Sequence, residues 1–233
     1  MSDTEFRAAD HAEDGKQHLL LAASGSVATI KLPLMLEALS TVPDLAIRVI
    51  LTGSASAFLQ GQSREQPTMQ QIRSIANVDA IYHDSDEWSS PWKRASSILH
   101  IELRRWADLF VVAPTSANTL AKLSNGWADN LLLSVARAWD TTGQIDGSRK
   151  AILIAPAMNT AMWRHPVTKK QLQILQEWAI ETGEHGWIHI LPPVTKTLAC
   201  GDAGDGAMME WTQVVDEIKL HLGRVSRREQ REQ

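Results

Sequence analysis

The chain has 233 residues, 44% of them hydrophobic, which is ample for the core of one large α/β domain. A formal net charge of -4 and a pI near 6.1 leave no wide basic field to displace counterions, so a nucleic-acid footprint is excluded. One cysteine cannot close an internal disulfide, no apolar run is long enough to span a bilayer, and the opening residues are polar rather than signal-like; a cytoplasmic protein without membrane contact is expected.

Residues 1–17 carry Asp3, Glu5, Asp10, Glu13 and Asp14 among few apolar side chains and read as a disordered arm. One domain is expected over residues 18–223, with a polar tail over 224–233. Within the domain, apolar runs at His18–Ala23, Ala46–Thr52, Leu109–Pro114, Ala151–Pro156 and Ile188–Leu191 read as buried strands. Helical periodicity falls between them, at Ala28–Leu39, Ser97–Ala107, Asn118–Leu123, Asp129–Trp139, Val167–Ile180 and Trp211–Leu222. Such alternation predicts a parallel sheet. Pro33 predicts a kink or a later start in the first helix, because an interior proline loses a hydrogen bond and clashes with the preceding turn. The mixed stretch Gln60–Ser97 gives no clear element, and Thr141–Lys150 reads as a surface loop.

In open α/β sheets, ligands gather beyond the carboxyl ends of the strands, where unpaired N–H groups face outward. Three such ends carry small, hydroxyl-bearing residues before a helix: Ser24-Gly25-Ser26-Val27, Thr52-Gly53-Ser54 and Ser116-Ala117-Asn118-Thr119. Each alone is an ordinary N-cap, but together they favour an anionic cofactor. None is a dinucleotide fingerprint or a Walker loop, so a mononucleotide fits better. The fourth end, Pro156-Ala157-Met158-Asn159-Thr160-Ala161-Met162-Trp163, sets an amide, two thioethers and an indole where a planar ring can lie. Upstream, His100 and Arg104 lie four apart at the edge of a helical apolar stripe. The run Cys200-Gly201-Asp202-Ala203-Gly204-Asp205-Gly206 has three glycines in six residues and reads as a mobile flap carrying the only thiol. Nine tryptophans serve a core, an interface or a flat ligand, and composition does not choose among these.

Three segments together carry a resemblance: the Asn159 motif, the run His100-Ile101-Glu102-Leu103-Arg104-Arg105-Trp106, and Leu198-Ala199-Cys200-Gly201-Asp202. Joined by Asp86-Glu87-Trp88-Ser89-Ser90, they make the chain similar to the homo-oligomeric flavin-containing cysteine decarboxylases, in their eukaryotic halotolerance-protein branch. The resemblance implies a flavodoxin-like Rossmann three-layer sandwich with a parallel sheet, assembled as a homotrimer in which a neighbouring chain completes each site. It implies FMN lined by Gly25, Ser26, Val27, Thr52, Gly53, Ser54, Ser116, Ala117, Asn118, Thr119 and Ala157. Asn159 would hold the substrate carboxylate, with Thr197, Leu198 and Ala199 along the substrate, while His100 and Cys200 act in catalysis. No metal is implied.

The activity it implies is decarboxylation of 4′-phosphopantothenoyl-L-cysteine to 4′-phosphopantetheine in coenzyme A biosynthesis. The substrate nitrogen is already an amide, so a pyridoxal Schiff base cannot form and FMN serves as the electron sink. Three rivals remain open at this stage. One is a regulatory subunit inhibiting a serine/threonine phosphatase, since one fold can host either role. The others are a decarboxylase of cysteine-ended peptides and a flavin prenyltransferase.

Overall fold

The apolar runs fold into six parallel strands: β1 (Gln17–Ala23), β2 (Leu45–Leu51), β3 (Val78–His83), β4 (Leu109–Thr115), β5 (Ala151–Pro156) and β6 (Ile188–Ile190). They lie in the order β3-β2-β1-β4-β5-β6, so the chain leaves β1 in one direction for β2 and β3 and returns to its other side for β4. That reversal makes the β1/β4 boundary the switch point of a doubly wound, flavodoxin-like sandwich. The computed structural model describes residues 6–89, 91–181, 186–197 and 203–232.

Both faces of the sheet are covered, and this is why the strands read as continuous apolar runs. Leu19, Leu21 and Ala23 alternate with Leu20 and Ala22 between two separate cores, as a period of two requires. One core receives α1 (Leu32–Leu39) and the buried stripe Val214, Ile218 and Leu222 of the final helix. The other receives α4 (Leu99–Trp106), α5 (Ala117–Ser124), α6 (Leu131–Ala138) and α8 (Pro166–Glu181), whose Leu175 is fully buried. The short helices α2 (Gly53–Ser56), α3 (Met69–Arg73) and α7 (Thr160–Arg164) follow β2, precede β3 and follow β5. An antiparallel hairpin, β7 (Val194–Thr197) with β8 (Ala203–Ala207), leads into α9 (Trp211–Glu232). Among the described residues no helix is long and apolar enough to cross a membrane.

Several expectations shift for identifiable reasons. The first helix starts late: a 3₁₀ turn spans Val27–Lys31 and Pro33 stands in the first turn of α1, where its missing N–H costs nothing. The unassigned stretch contains β3, an edge strand of partly exposed residues; without two buried faces it lacks a continuous apolar run. The arm expected to be disordered is folded from Phe6 onward. The Phe6 ring lies 3.8 Å from the guanidinium of buried Arg48, and the Ala8 N–H donates to Glu102 at 2.8 Å. A single aromatic anchor in a polar run leaves no periodic signal. At the other end α9 continues past residue 223 to Glu232, in a run rich in Arg, Glu and Gln that favours helix.

The loop over 141–150 is pinned rather than slack. Asp140, almost fully buried, accepts from the N–H groups of Thr142, Gly143, Ile145 and Asp146 at 2.7 to 3.1 Å. Burial alone would raise its pKa, but the donors of Asp146, Ile145 and Thr142 outweigh it and hold the carboxyl below the usual range. A depressed value contributes stability above the unfolded carboxyl value of about 4, and that stability is lost as pH falls through the folded value. Asp140→Asn is therefore expected to destabilise the domain by about 2–4 kcal/mol at pH 7. Urea unfolding should show that gap narrowing toward pH 3; a gap unchanged between pH 7 and pH 3 would contradict the ionised carboxylate.

Candidate active site

The strand ends at the switch point converge because their caps are tied together. The Ser24 hydroxyl donates to the Pro114 carbonyl at 3.0 Å and accepts from the Ser116 N–H at 2.8 Å, joining the end of β1 to that of β4. The Ala157 N–H bonds to the Thr115 carbonyl at 2.9 Å and brings the end of β5 alongside. Each end then turns on a side-chain cap: Ser26 accepts from Ala28 N–H, Thr52 from Ala55 N–H, Ser116 from Thr119 N–H and Asn159 from Met162 N–H. A Cβ added to Gly25 would stand 2.5 Å from the Cβ of Ser54, so the loops after β1 and β2 approach as closely as only glycine permits.

Between these turns lies a cavity of about 790 Å³, inside the range of small-molecule sites. Every residue expected to line FMN borders it, from Gly25, Ser26 and Val27 through Thr52, Gly53 and Ser54 to Ser116, Ala117, Asn118, Thr119 and Ala157. Asn159 is at its rim and exposed. Its Oδ1 is used in capping α7 at 2.9 Å, and its Nδ2 has no protein partner among the described residues. Asn159 is thus an exposed N-cap with one half of its amide free among the described residues, not a core-packing residue. The lining carries two lysines: Lys31, also without a partner among the described residues, and Lys122, which is paired with Asp129.

Other lining groups were not singled out from the sequence. Asp84 follows β3 in the stretch that gave no element, and its carboxylate accepts from Leu131 N–H at 3.1 Å. Asn130 caps α6 through Leu133 N–H at 2.9 Å, and an Asp-Asn pair before an apolar helix was a usable signal for it. Met209 and Glu210 come from the turn between β8 and α9.

His100 is not brought into this cavity. It stands in the first turn of α4, its N–H and Nδ1 both on the Glu87 carboxylate, at 3.1 and 2.7 Å. Glu87 is buried and His100 a quarter exposed, and Trp88, Trp92 and Ile98 nearby in sequence are exposed apolar side chains. Thr197 closes β7, while Leu198, Ala199 and Cys200 lie outside the described residues.

The glycine-rich run is more ordered at its base than a mobile flap. Residues 203–207 form β8, and the Met158 N–H bonds to the Gly206 carbonyl at 2.9 Å. Gly206 has a φ of 103°, and a Cβ there would lie 2.8 Å from the Met158 carbonyl oxygen; one at Gly204 would strike Thr160. The glycines thus serve close docking on α7. Asp205 adds to it, accepting from Arg164 at 2.9 Å and from the Thr195 hydroxyl at 2.9 Å; these bonds hold its carboxyl below the usual range.

Strand-end donors, caps and a thioether-lined wall suit a planar molecule bearing a phosphate. The Flavoprotein family model matches residues 7–223, and the chain belongs to that family. It is 42% identical to mouse phosphopantothenoylcysteine decarboxylase over 216 residues, 92% of this chain and 92% of that protein. Among solved structures it resembles a phosphopantothenoylcysteine decarboxylase mutant complexed with pantothenoylaminoethenethiol, at 41% identity and a TM-score of 0.70, covering 88% of this chain and 97% of that one. It also resembles the FMN-binding protein AtHal3, at 42% identity and a TM-score of 0.67, covering 88% and 96%.

Proposed function

We propose that this chain binds FMN in the strand-end cavity and decarboxylates 4′-phosphopantothenoyl-L-cysteine to 4′-phosphopantetheine, a step of coenzyme A biosynthesis. The observation that carries the reading is the free amide half of Asn159 at the rim of a cavity edged by capped strand ends. The fit to FMN rests on the same cavity: helix N-termini and hydroxyls for a phosphate, the glycine-only approach of Gly25 to Ser54, and an apolar wall of Met158 and Met162. When bound, the flavin supplies a two-electron store that opens a path for the pair left behind by departing CO₂.

The remaining work falls to side chains of this chain. Asn159 Nδ2 donates to the substrate carboxylate and orients the breaking C–C bond. The N-terminus of α5 with Ser116, Asn118 and Thr119 favours a phosphate through its unpaired N–H groups. Cys200, on the connection between β7 and β8, delivers a proton to the decarboxylated carbon, and His100, oriented by Glu87, exchanges a proton at the thiol end. The homotrimer is the assembly that the family resemblance implies; the position of His100 outside its own chain's cavity is compatible with it, a neighbour presenting His100 and covering the exposed Trp88 and Trp92.

The experiment offers the purified, FMN-loaded protein phosphopantothenoylcysteine and a cysteine-ended peptide side by side. Turnover of the first and none of the second is expected; the reverse would transfer the reading to a peptide decarboxylase. In the same assay Cys200→Ser is expected to release CO₂ once per site while 4′-phosphopantetheine formation falls by at least ~10²-fold. Full turnover by that variant would remove the thiol from the mechanism.

A further inference from the structure

Four of the nine tryptophans, Trp127, Trp139, Trp178 and Trp187, wall a second cleft of about 280 Å³ between α5, α6, α8 and the sheet. It shares no described lining residue with the flavin cavity. Its floor is buried aliphatic surface from Leu133, Ile152 and Leu175. Trp178 and Trp187 stack with their planes 18° apart, and Trp139 is fixed by its Nε1–H donating to the Lys150 carbonyl at 3.1 Å.

The rim is built as firmly. α5 ends in a complete Schellman turn: Gly126, at a φ of 70°, donates its N–H to Leu123, and Trp127 donates its N–H to Lys122. That turn fixes the backbone that carries Trp127, 58% of which is exposed. An exposed indole on a preformed turn loses little freedom on meeting a ligand. Beside it stands Arg137, whose Nε lies 3.7 Å from where a Gly126 Cβ would be. Arg137 is exposed and has no ion-pair partner among the described residues, and no described residue of the lining is acidic. Asp140, next to Thr141 of the lining, is already saturated by its own loop.

We propose that this cleft is a second binding site, for a small aromatic carboxylate. The indoles take a one- or two-ring face, a size set by the volume, and Arg137 takes the carboxylate at the mouth. A neutral ring of the same shape would forgo the second contact, and a phosphorylated sugar would waste the indole walls. The site is independent of the decarboxylase reading and fails or stands without it.

The test uses protein saturated with FMN, so that the larger cavity is filled, with indole ¹⁵N–H resonances followed during titration with naphthoate and with its neutral analogue naphthol. Naphthoate is expected to shift the resonances of Trp127 and Trp187 and to bind at least about 10-fold more tightly than naphthol. Arg137→Gln should remove that preference while leaving naphthol unchanged, and Trp127→Ala should weaken both by about 10-fold. Both positions are exposed, and thermal unfolding within a few degrees of the parent confirms that the fold is intact. Absence of indole shifts at millimolar naphthoate, or binding indifferent to both substitutions, would overturn the proposal. So would a drop in assembly mass on Trp127→Ala, since a neighbouring copy would then be the occupant.

Discussion

Asn159→Asp is expected to lower kcat/KM by at least ~10²-fold while leaving the fold and the flavin content unchanged. Aspartate caps a helix as well as asparagine does, so the Oδ1 bond to the Met162 N–H and the start of α7 survive. What changes is the free half of the side chain, where a neutral donor becomes an anion facing the substrate carboxylate. The separation of the two halves makes this variant sharper than Asn159→Ala, which would also forfeit roughly 0.5–2 kcal/mol of capping. Flavin absorbance, thermal unfolding and CO₂ release measured on one preparation decide the matter. Turnover within 10-fold of the parent would leave Asn159 as a helix cap and nothing more.

The second large effect concerns the assembly. His100→Asn and Asn159→Asp are each expected to be inactive alone, yet co-assembly after mild dissociation should restore activity. If each site joins Asn159 of one copy to His100 of its neighbour, random mixing of two such variants leaves about a quarter of the sites with both groups intact. The motivation is geometric: His100 is held by Glu87 on the edge of α4, beyond the lining of the cavity that contains Asn159. Activity near one quarter of the parent's is the expected result, read beside the molecular mass of the mixture. Silence in a verified mixed oligomer would place both groups on one chain or remove His100 from the reaction.

Much of the fold was legible because it depends on short-range rules. A strand covered on both faces must be apolar at consecutive positions, so β1, β2, β4 and β5 announced themselves, and Pro33 announced the late start of α1. The strand-end segments were legible for the same reason: small capping residues after an apolar run mark a turn into a helix wherever it occurs. β3 and the anchoring of Phe6 were not, because an edge strand and a lone aromatic on Arg48 owe their order to distant partners. The glycines of β8 were read as looseness, when Gly204 and Gly206 in fact make room for Thr160, Trp163 and the Met158 carbonyl. No local pattern distinguishes those two uses of glycine.

By itself the order of amino acids determined the parallel α/β class and the strand-end residues fit for a phosphate, and through a family resemblance it pointed to His100, Asn159 and Cys200 as candidates for proton transfer and carboxylate binding. Only the tertiary structure decided which of these meet. It brought the ends of β1, β2, β4 and β5 around one cavity through Ser24 and Ala157, left His100 on Glu87 outside it, and gathered four indoles around a cleft that composition could not locate. The physical reason is range: caps, turns and periodicity act over a few residues, whereas a site is made by groups tens of positions apart that the strand order sets side by side.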